Sequence, residues 1–248
     1  MLDDLAALGP FFAVDSHPSG AAPVPPWRPV SELTTPSQAL RGRIDAVRAA
    51  LAARGGLPVD EIEPRVAASA VHLGLAARLT APALGAAVLR SPVDLRAGGL
   101  WWQDAPSGPV PLSIPLPSGG GERPVGAPWA EPGKLAEEWD KLLLDGLLAP
   151  MTAAVARLVP VAARVLRGNV ASAANAAAAQ VARQRPDLAR DAWQAASRLF
   201  GDPWLRTERN PPGPAFRRSS CCLFYRLAPG NPSAVCGDCV LAGRRSSR

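Results

Sequence analysis

The chain has 248 residues, of which 48% are hydrophobic and only 5% aromatic. That is enough for one large domain or two small ones, with a core built from Ala, Leu and Val by close helix packing. The net charge of +6 sits wholly in the tail, where Arg206, Arg209, Arg217, Arg218, Arg226, Arg244, Arg245 and Arg248 oppose only Glu208 and Asp238. Cysteines and turn residues interrupt this basic stretch and no RNA or DNA module is recognisable, so nucleic-acid binding is set aside.

The opening residues Met1 to Leu5 are acidic where a signal peptide would be basic. No uninterrupted apolar run reaches the ~18 residues of a membrane span. The expectation is a soluble, cytoplasmic protein with no transmembrane segment.

Residues 1–36 form a Pro-rich N-terminal arm, expected on the surface, with a short helix over Leu2 to Leu8 and an exposed His17 far from any other candidate ligand. Ser37 or Thr34 then caps a helix running to about Arg54, with Leu40, Ile44, Val47 and Leu51 at a spacing of three and four, and Gly55-Gly56 ends it. A second helix spans about Asp60 to Leu79, with Pro64 in its first turn, Val66, Ala70, Leu73 and Ala77 on one face, and a core-type His72 beside them. A short helix follows Pro82.

Near residues 99–117 the periodicity changes to that of two short antiparallel strands, Leu100 to Asp104 and Val110 to Leu116. Trp101, Trp102 and Trp129 either pack against helices or line a ligand cleft beside this element. Ser118 to Gly121 lacks the Gly-Lys-Ser/Thr ending of a phosphate-binding loop and is a linker.

Helical patterning resumes at Pro132. Pro150 separates Lys134 to Leu148 from Val155 to Leu166, Gly168-Asn169 breaks the next stretch, and an Ala-rich helix runs on to Arg183. Pro186-Asp187 starts a last helix ending near Phe200. The fold class is mainly α: a helical domain over 37–204 with a small antiparallel β element, then a short cysteine-rich segment over 205–248.

That segment holds every cysteine: Cys221, Cys222, Cys236 and Cys239. Adjacent Cα atoms lie ~3.8 Å apart, below the ~4.4 Å at which ordinary disulfide geometry begins, so Cys221 and Cys222 do not pair with each other. Two bridges to the second pair would close, but structural disulfides belong mostly to secreted domains. A metal is the better reading, because Cys-x-x-Cys with Gly237 inside folds as a knuckle with converging sulfurs. Zinc sites usually offer two such knuckles, which the vicinal pair does not; an iron–sulfur cluster tolerates more varied spacing. Iron–sulfur, zinc and a disulfide-bridged or unmetallated set all stay open on spacing alone.

The run Arg218-Ser-Ser-Cys221-Cys222-Leu-Phe-Tyr-Arg226, a Pro/Gly turn, and Cys236-Gly-Asp-Cys239 resembles the C-terminal signature of the FhuF-type ferric-siderophore reductases. Thirteen residues separate the pairs here, against about ten in the family, and the extra ones fall in the Ala228 to Val235 turn, where insertion is tolerated. Upstream, Leu166 to Asn175 is similar to a Gly-Asn-containing helix start in the same family. The resemblance implies a [2Fe–2S] cluster on Cys221, Cys222, Cys236 and Cys239, a ferric siderophore as substrate, and one-electron reduction of its Fe(III).

The residues themselves agree with a redox role more than an acid/base one, since two histidines and no Ser/His/Asp set leave little general acid–base machinery. No dinucleotide-binding Gly-x-Gly-x-x-Gly is present, so the electron comes from an external donor, a protein or a small reductant. Arg217, Arg218 and Arg226 are expected to tune the cluster or hold an anionic chelator, and Tyr225 either to pack over the cluster or to take a strand-core role. The substrate cleft is expected at Trp101, Trp102 and Asn169. Two other classes remain: a zinc-stabilised helical binding protein, and an iron–sulfur electron carrier or redox sensor without siderophore activity.

Overall fold

The computed structural model describes residues 2–21, 23–91, 96–116, 140–205, 210–228, 231 and 235–242. The N-terminal segment folds into the core, which corrects the expectation of a surface arm. Leu2–Ala7 (α1) is short, yet Leu5, Leu8 and Phe12 are buried to 1% or less. They lie over Gly85, where a Cβ would come within 2.8 Å of Phe12 Cδ1 and 2.9 Å of Leu5 Cδ2. A glycine is needed there for the two segments to touch.

Two further stretches of this segment are strands, Asp15–Pro18 (β1) and Arg28–Pro29 (β2). They flank Trp101–Trp102 (β3) and Leu112–Leu116 (β4) in the order β1-β4-β3-β2. The expected antiparallel pair is present, with Trp101 opposite Ser113 and Trp102 opposite Leu112. The sheet as a whole is mixed, because β1 joins β4 in parallel with His17 opposite Pro115. Both proline-bearing strands from the N-terminal segment take the edges, where a missing N–H is tolerated.

One buried side chain fastens this segment. Arg78 is 3% exposed and donates through Nε to Val110 O at 2.6 Å, through Nη1 to Phe11 O at 2.8 Å and through Nη2 to Ala13 O. His17, expected to be exposed, is buried: its ring stacks on Trp101 at 3.8 Å and its Nδ1 meets Ser113 Oγ at 2.8 Å.

After Ser31–Thr34 (α2), the helix Gln38–Gly55 (α3) starts where the sequence places it. Ser37 Oγ accepts from Leu40 N at 3.0 Å and Gly56 closes the helix at φ +63°, the left-handed cap glycine favours. The next helix, Pro64–Val88 (α4), runs through Pro82 as one element, not as the two expected. Ala81, Ala83 and Leu84 around that proline are buried, and their burial outweighs the one backbone bond it removes. By length and composition α4 could cross a membrane; here 78% of its most apolar window is buried inside the fold, as befits a core helix.

Residues 140–143 are helical and continue through a π turn, Leu144–Leu148, straight into Ala149–Leu158 (α5). Pro150 does not separate two helices: it follows the π turn inside one continuous helical stretch. The helix Ala163–Gln184 (α6) likewise passes unbroken through Gly168-Asn169, and Ala189–Gly201 (α7) follows. Ser69 meets Asn169 while Ala81 and Leu84 pack with Ala177 and Ala178, so α4 and α6 run side by side in the same sense. The expected features at Ser118 to Gly121, Trp129 and Lys134 to Trp139 lie outside the described residues.

Candidate metal centre

The tail docks along α6 in the opposite direction, tied at successive turns. Gly213 N donates to Asn175 Oδ1 at 2.8 Å, Arg218 Nη2 to Val165 O at 3.0 Å, and Ser220 Oγ to Arg164 O at 2.8 Å. Phe216, 3% exposed, sets its ring edge-on to Phe200. This close approach explains Gly168: a Cβ there would fall on Ser220 Oγ and lie 2.8 Å from Arg218 Nη2. The glycine keeps room for the tail.

At Cys221-Cys222 the chain crosses to α4, where Ser69 Oγ donates to Cys222 O at 2.9 Å. Leu223 then adopts φ +73°, a left-handed conformation that turns successive N–H groups towards one side. Leu223 N approaches Cys221 Sγ at 3.3 Å, and the Phe224 N–H donates to the Cys222 sulfur. The second half repeats the device: Cys239 N donates to Cys236 O at 3.1 Å and Leu241 N approaches Cys239 Sγ at 3.3 Å. The halves are braced together because Arg218 N donates to Asp238 O at 3.0 Å, while Ser172 Oγ donates to the Asp238 carboxylate from α6.

These turns bring Cys222 Sγ to 3.4 Å from Cys236 Sγ, and all four cysteines are unbridged. That separation is a contact of thiols, well beyond a disulfide bond. Cys222 and Cys239 are buried; Cys221 and Cys236 are half-buried and reach the surface. The crowding holds the protons on. Cys221 lies well above the ordinary thiol range, chiefly because it donates to Cys222, with burial adding to it and the Arg218 charge opposing. Cys222 is pulled down by accepting from Cys221 but pushed further up by the Cys236 contact and burial, to about 11. Without a metal Cys221 and Cys222 are thiols; loading one must expel their protons. Among the described residues no three Cys, His, Asp or Glu side chains close on a single ion.

Beneath the sulfurs lies a buried polar chain. Asn169 Oδ1 accepts from Arg218 Nη2 at 2.8 Å, and its Nδ2 donates to Ser69 O at 3.0 Å and Ser69 Oγ at 3.1 Å. The same Nδ2 lies 3.5 Å from His72 Nδ1, whose Nε2 is 2.9 Å from Thr152 Oγ1. Thr152 spends its own proton on Leu148 O at 2.7 Å, so the network assigns the His72 proton to Nε2. Burial first, and the Arg218 charge second, push the His72 pKa down to about 3. His72 is neutral.

Arg218 is the exception in this chain. It is 0% exposed, Nε and Nη1 find no acceptor among the described residues, and no carboxylate there pairs with it. A buried guanidinium with unmatched donors near Cys221, in a tail where three of the four sulfurs receive backbone N–H groups, is a setting for an anion.

Residues 218–241 match the family described as the FhuF 2Fe-2S C-terminal domain. This stretch of the tail is similar to a FhuF-type [2Fe–2S] domain. The match covers 24 of the 248 residues, and no curated protein and no solved structure matches the chain. The matching family's cofactor is a [2Fe–2S] cluster, and the residues here suit it: Cys222 touches both Cys221 and Cys236, Cys239 shares a turn with Cys236, and the buried Arg218, with Nε and Nη1 unmatched among the described residues, lies beneath.

The other residues singled out in the sequence divide. Arg217 is exposed and its Nη1 bonds back to Phe216 O at 3.1 Å. Arg226 pairs with Glu63 at the start of α4 and lies 5.6 Å over the Tyr225 ring, so its charge is already answered. Trp101 and Trp102 are 8% and 0% exposed within the sheet, and Asn169 is 0% exposed under the tail. Among the described residues these three are buried side chains and not an exposed surface. Ser69 and Ser172 were not anticipated as site residues, whereas Gly168 was marked with Asn169 but as a helix break; the signal was that Gly-Asn pair in an otherwise Ala-rich helix.

Proposed function

We propose that the protein is a cytoplasmic ferric-siderophore reductase in which Cys221, Cys222, Cys236 and Cys239 hold the [2Fe–2S] cluster. The observation that carries this reading is the family match over the two turns that bear the four cysteines and bring Cys222 against Cys236. When bound, the cofactor supplies a one-electron couple. The chain's part is to exclude water from Cys222 and Cys239, to aim backbone N–H groups at the sulfurs, and to leave Cys221 and Cys236 at the surface where a ferric chelate can approach.

The reaction takes one electron from an external protein or small reductant and places it on siderophore Fe(III), giving Fe(II). Hard oxygen ligands hold Fe(II) far less well, so the iron leaves without any bond in the chelator being cut. No proton needs to be moved, which accords with a neutral, buried His72 and His17. Segment 37–204 supplies the scaffold, segment 205–248 the redox centre, and exposed Arg217 meets anionic groups of the chelate. The test is Fe(II) capture by ferrozine when reduced protein is offered several ferric siderophores. Chelate-dependent reoxidation supports the assignment; reoxidation by oxygen or a protein donor alone assigns the chain to electron carriage.

A further inference from the structure

Two fully or nearly buried arginines stand in contrast. Arg78 donates from all three of its nitrogens to backbone carbonyls. Arg218 donates from Nη2 alone, and its Nε and Nη1 have no acceptor among the described residues. A desolvated cation without a counter-charge is among the costliest groups a core can hold.

Its position is set by one amide. Asn169 accepts from Arg218 through Oδ1 and, through Nδ2, donates to Ser69, which in turn donates to Cys222 O. The guanidinium and the backbone of the cysteine pair are therefore fixed by the same side chain. Asp238, whose backbone oxygen accepts from Arg218 N, has its carboxylate engaged by Ser172.

We propose that Arg218, positioned by Asn169, is the built-in counter-cation of the metal centre, its charge unbalanced until the cluster is bound. The proposal rests on the cluster reading. A cluster on four thiolates is an anion and gains one more negative charge on reduction, so a fixed cation beside it stabilises the loaded protein and favours the reduced state. Loading and folding of the tail are thereby coupled.

The test compares full-length wild type, R218K, R218M and N169D, the last placing a carboxylate where Asn169 Oδ1 now meets Arg218. Thermal midpoints are read for apo and iron–sulfide-reconstituted forms, and reduction potentials for the loaded forms. The rise in midpoint on loading is expected to be largest in wild type, nearly retained in R218K, and halved or worse in R218M and N169D; a variant that takes up no cluster counts as no rise. R218M and N169D are expected to have the lower potentials. Equal rises and potentials across the four would overturn the proposal, as would R218K being as impaired as R218M. Should wild type take up no iron and sulfide, the cluster reading fails on its own. The apo proteins then decide this one: R218M less stable than wild type, or unfolded, overturns it.

Discussion

Ser69 Oγ donates to the backbone oxygen of Cys222 at 2.9 Å, across 153 residues of sequence. The core helix α4 thus holds the vicinal cysteine pair directly. Ser69→Ala removes that donor and one partner of Asn169 Nδ2, leaving a buried carbonyl unpaired, at a cost of about 1–3 kcal/mol. Helix content should be unchanged while chelators strip iron faster, followed by loss of visible absorption.

Gly168→Ala separates the bundle from its tail. Alanine favours the helix by roughly 1 kcal/mol, but its methyl occupies the space of Ser220 Oγ and Arg218 Nη2. Far-UV circular dichroism should show an intact bundle, and iron content should fall well below that of wild type. A fully loaded Gly168→Ala protein would mean that the tail does not seat against α6 as described.

Removing Arg78 acts elsewhere. Arg78→Met strands the carbonyls of Val110, Phe11 and Ala13, and a loss on the order of 3 kcal/mol is expected in urea unfolding. If the protein still folds, its reduction potential should not change.

How much of this was legible beforehand depends on range. Ser37, Gly56 and Pro64 act through their own neighbours, and α3 and the start of α4 lie where these residues place them. The breaks expected at Pro82, Pro150 and Gly168 did not occur, because each local preference was outweighed by packing between elements distant in sequence. The strands Asp15–Pro18 and Arg28–Pro29 are too short and too rich in proline to show alternation. In the site, the cysteines announced themselves by number and spacing. Ser69, His72, Asn169 and Arg218 are ordinary residues one by one, and only the side-by-side course of α4 and α6 makes them a network.

His72 gives the protein a definite response to acid. Its pKa is about 3 in the folded state against an ordinary 6.5, so between those values the unfolded chain binds a proton that the folded one refuses. Stability therefore falls as pH drops from 6.5 towards 3, by up to about 1.4 kcal/mol per unit, and gains nothing from this group above 6.5. Buried His17, also held below its usual range by burial, contributes with the same sign. Unfolding curves of His72→Gln against wild type should converge as pH falls from 6.5, because the variant lacks this slope.

Arg226 provides a contrast to the buried guanidinium. Its charge is met by Glu63 at the surface, where such pairs contribute little. Arg226→Ala should leave both the reduction potential and iron retention close to wild type.

The most direct measurement is iron, zinc and acid-labile sulfide analysis of the anaerobically purified chain, with spectra before and after dithionite. About two irons and about two sulfides per chain, a red-brown colour that bleaches on reduction and an EPR signal in the reduced form are expected. Colourless protein carrying about one zinc and no sulfide would contradict the account.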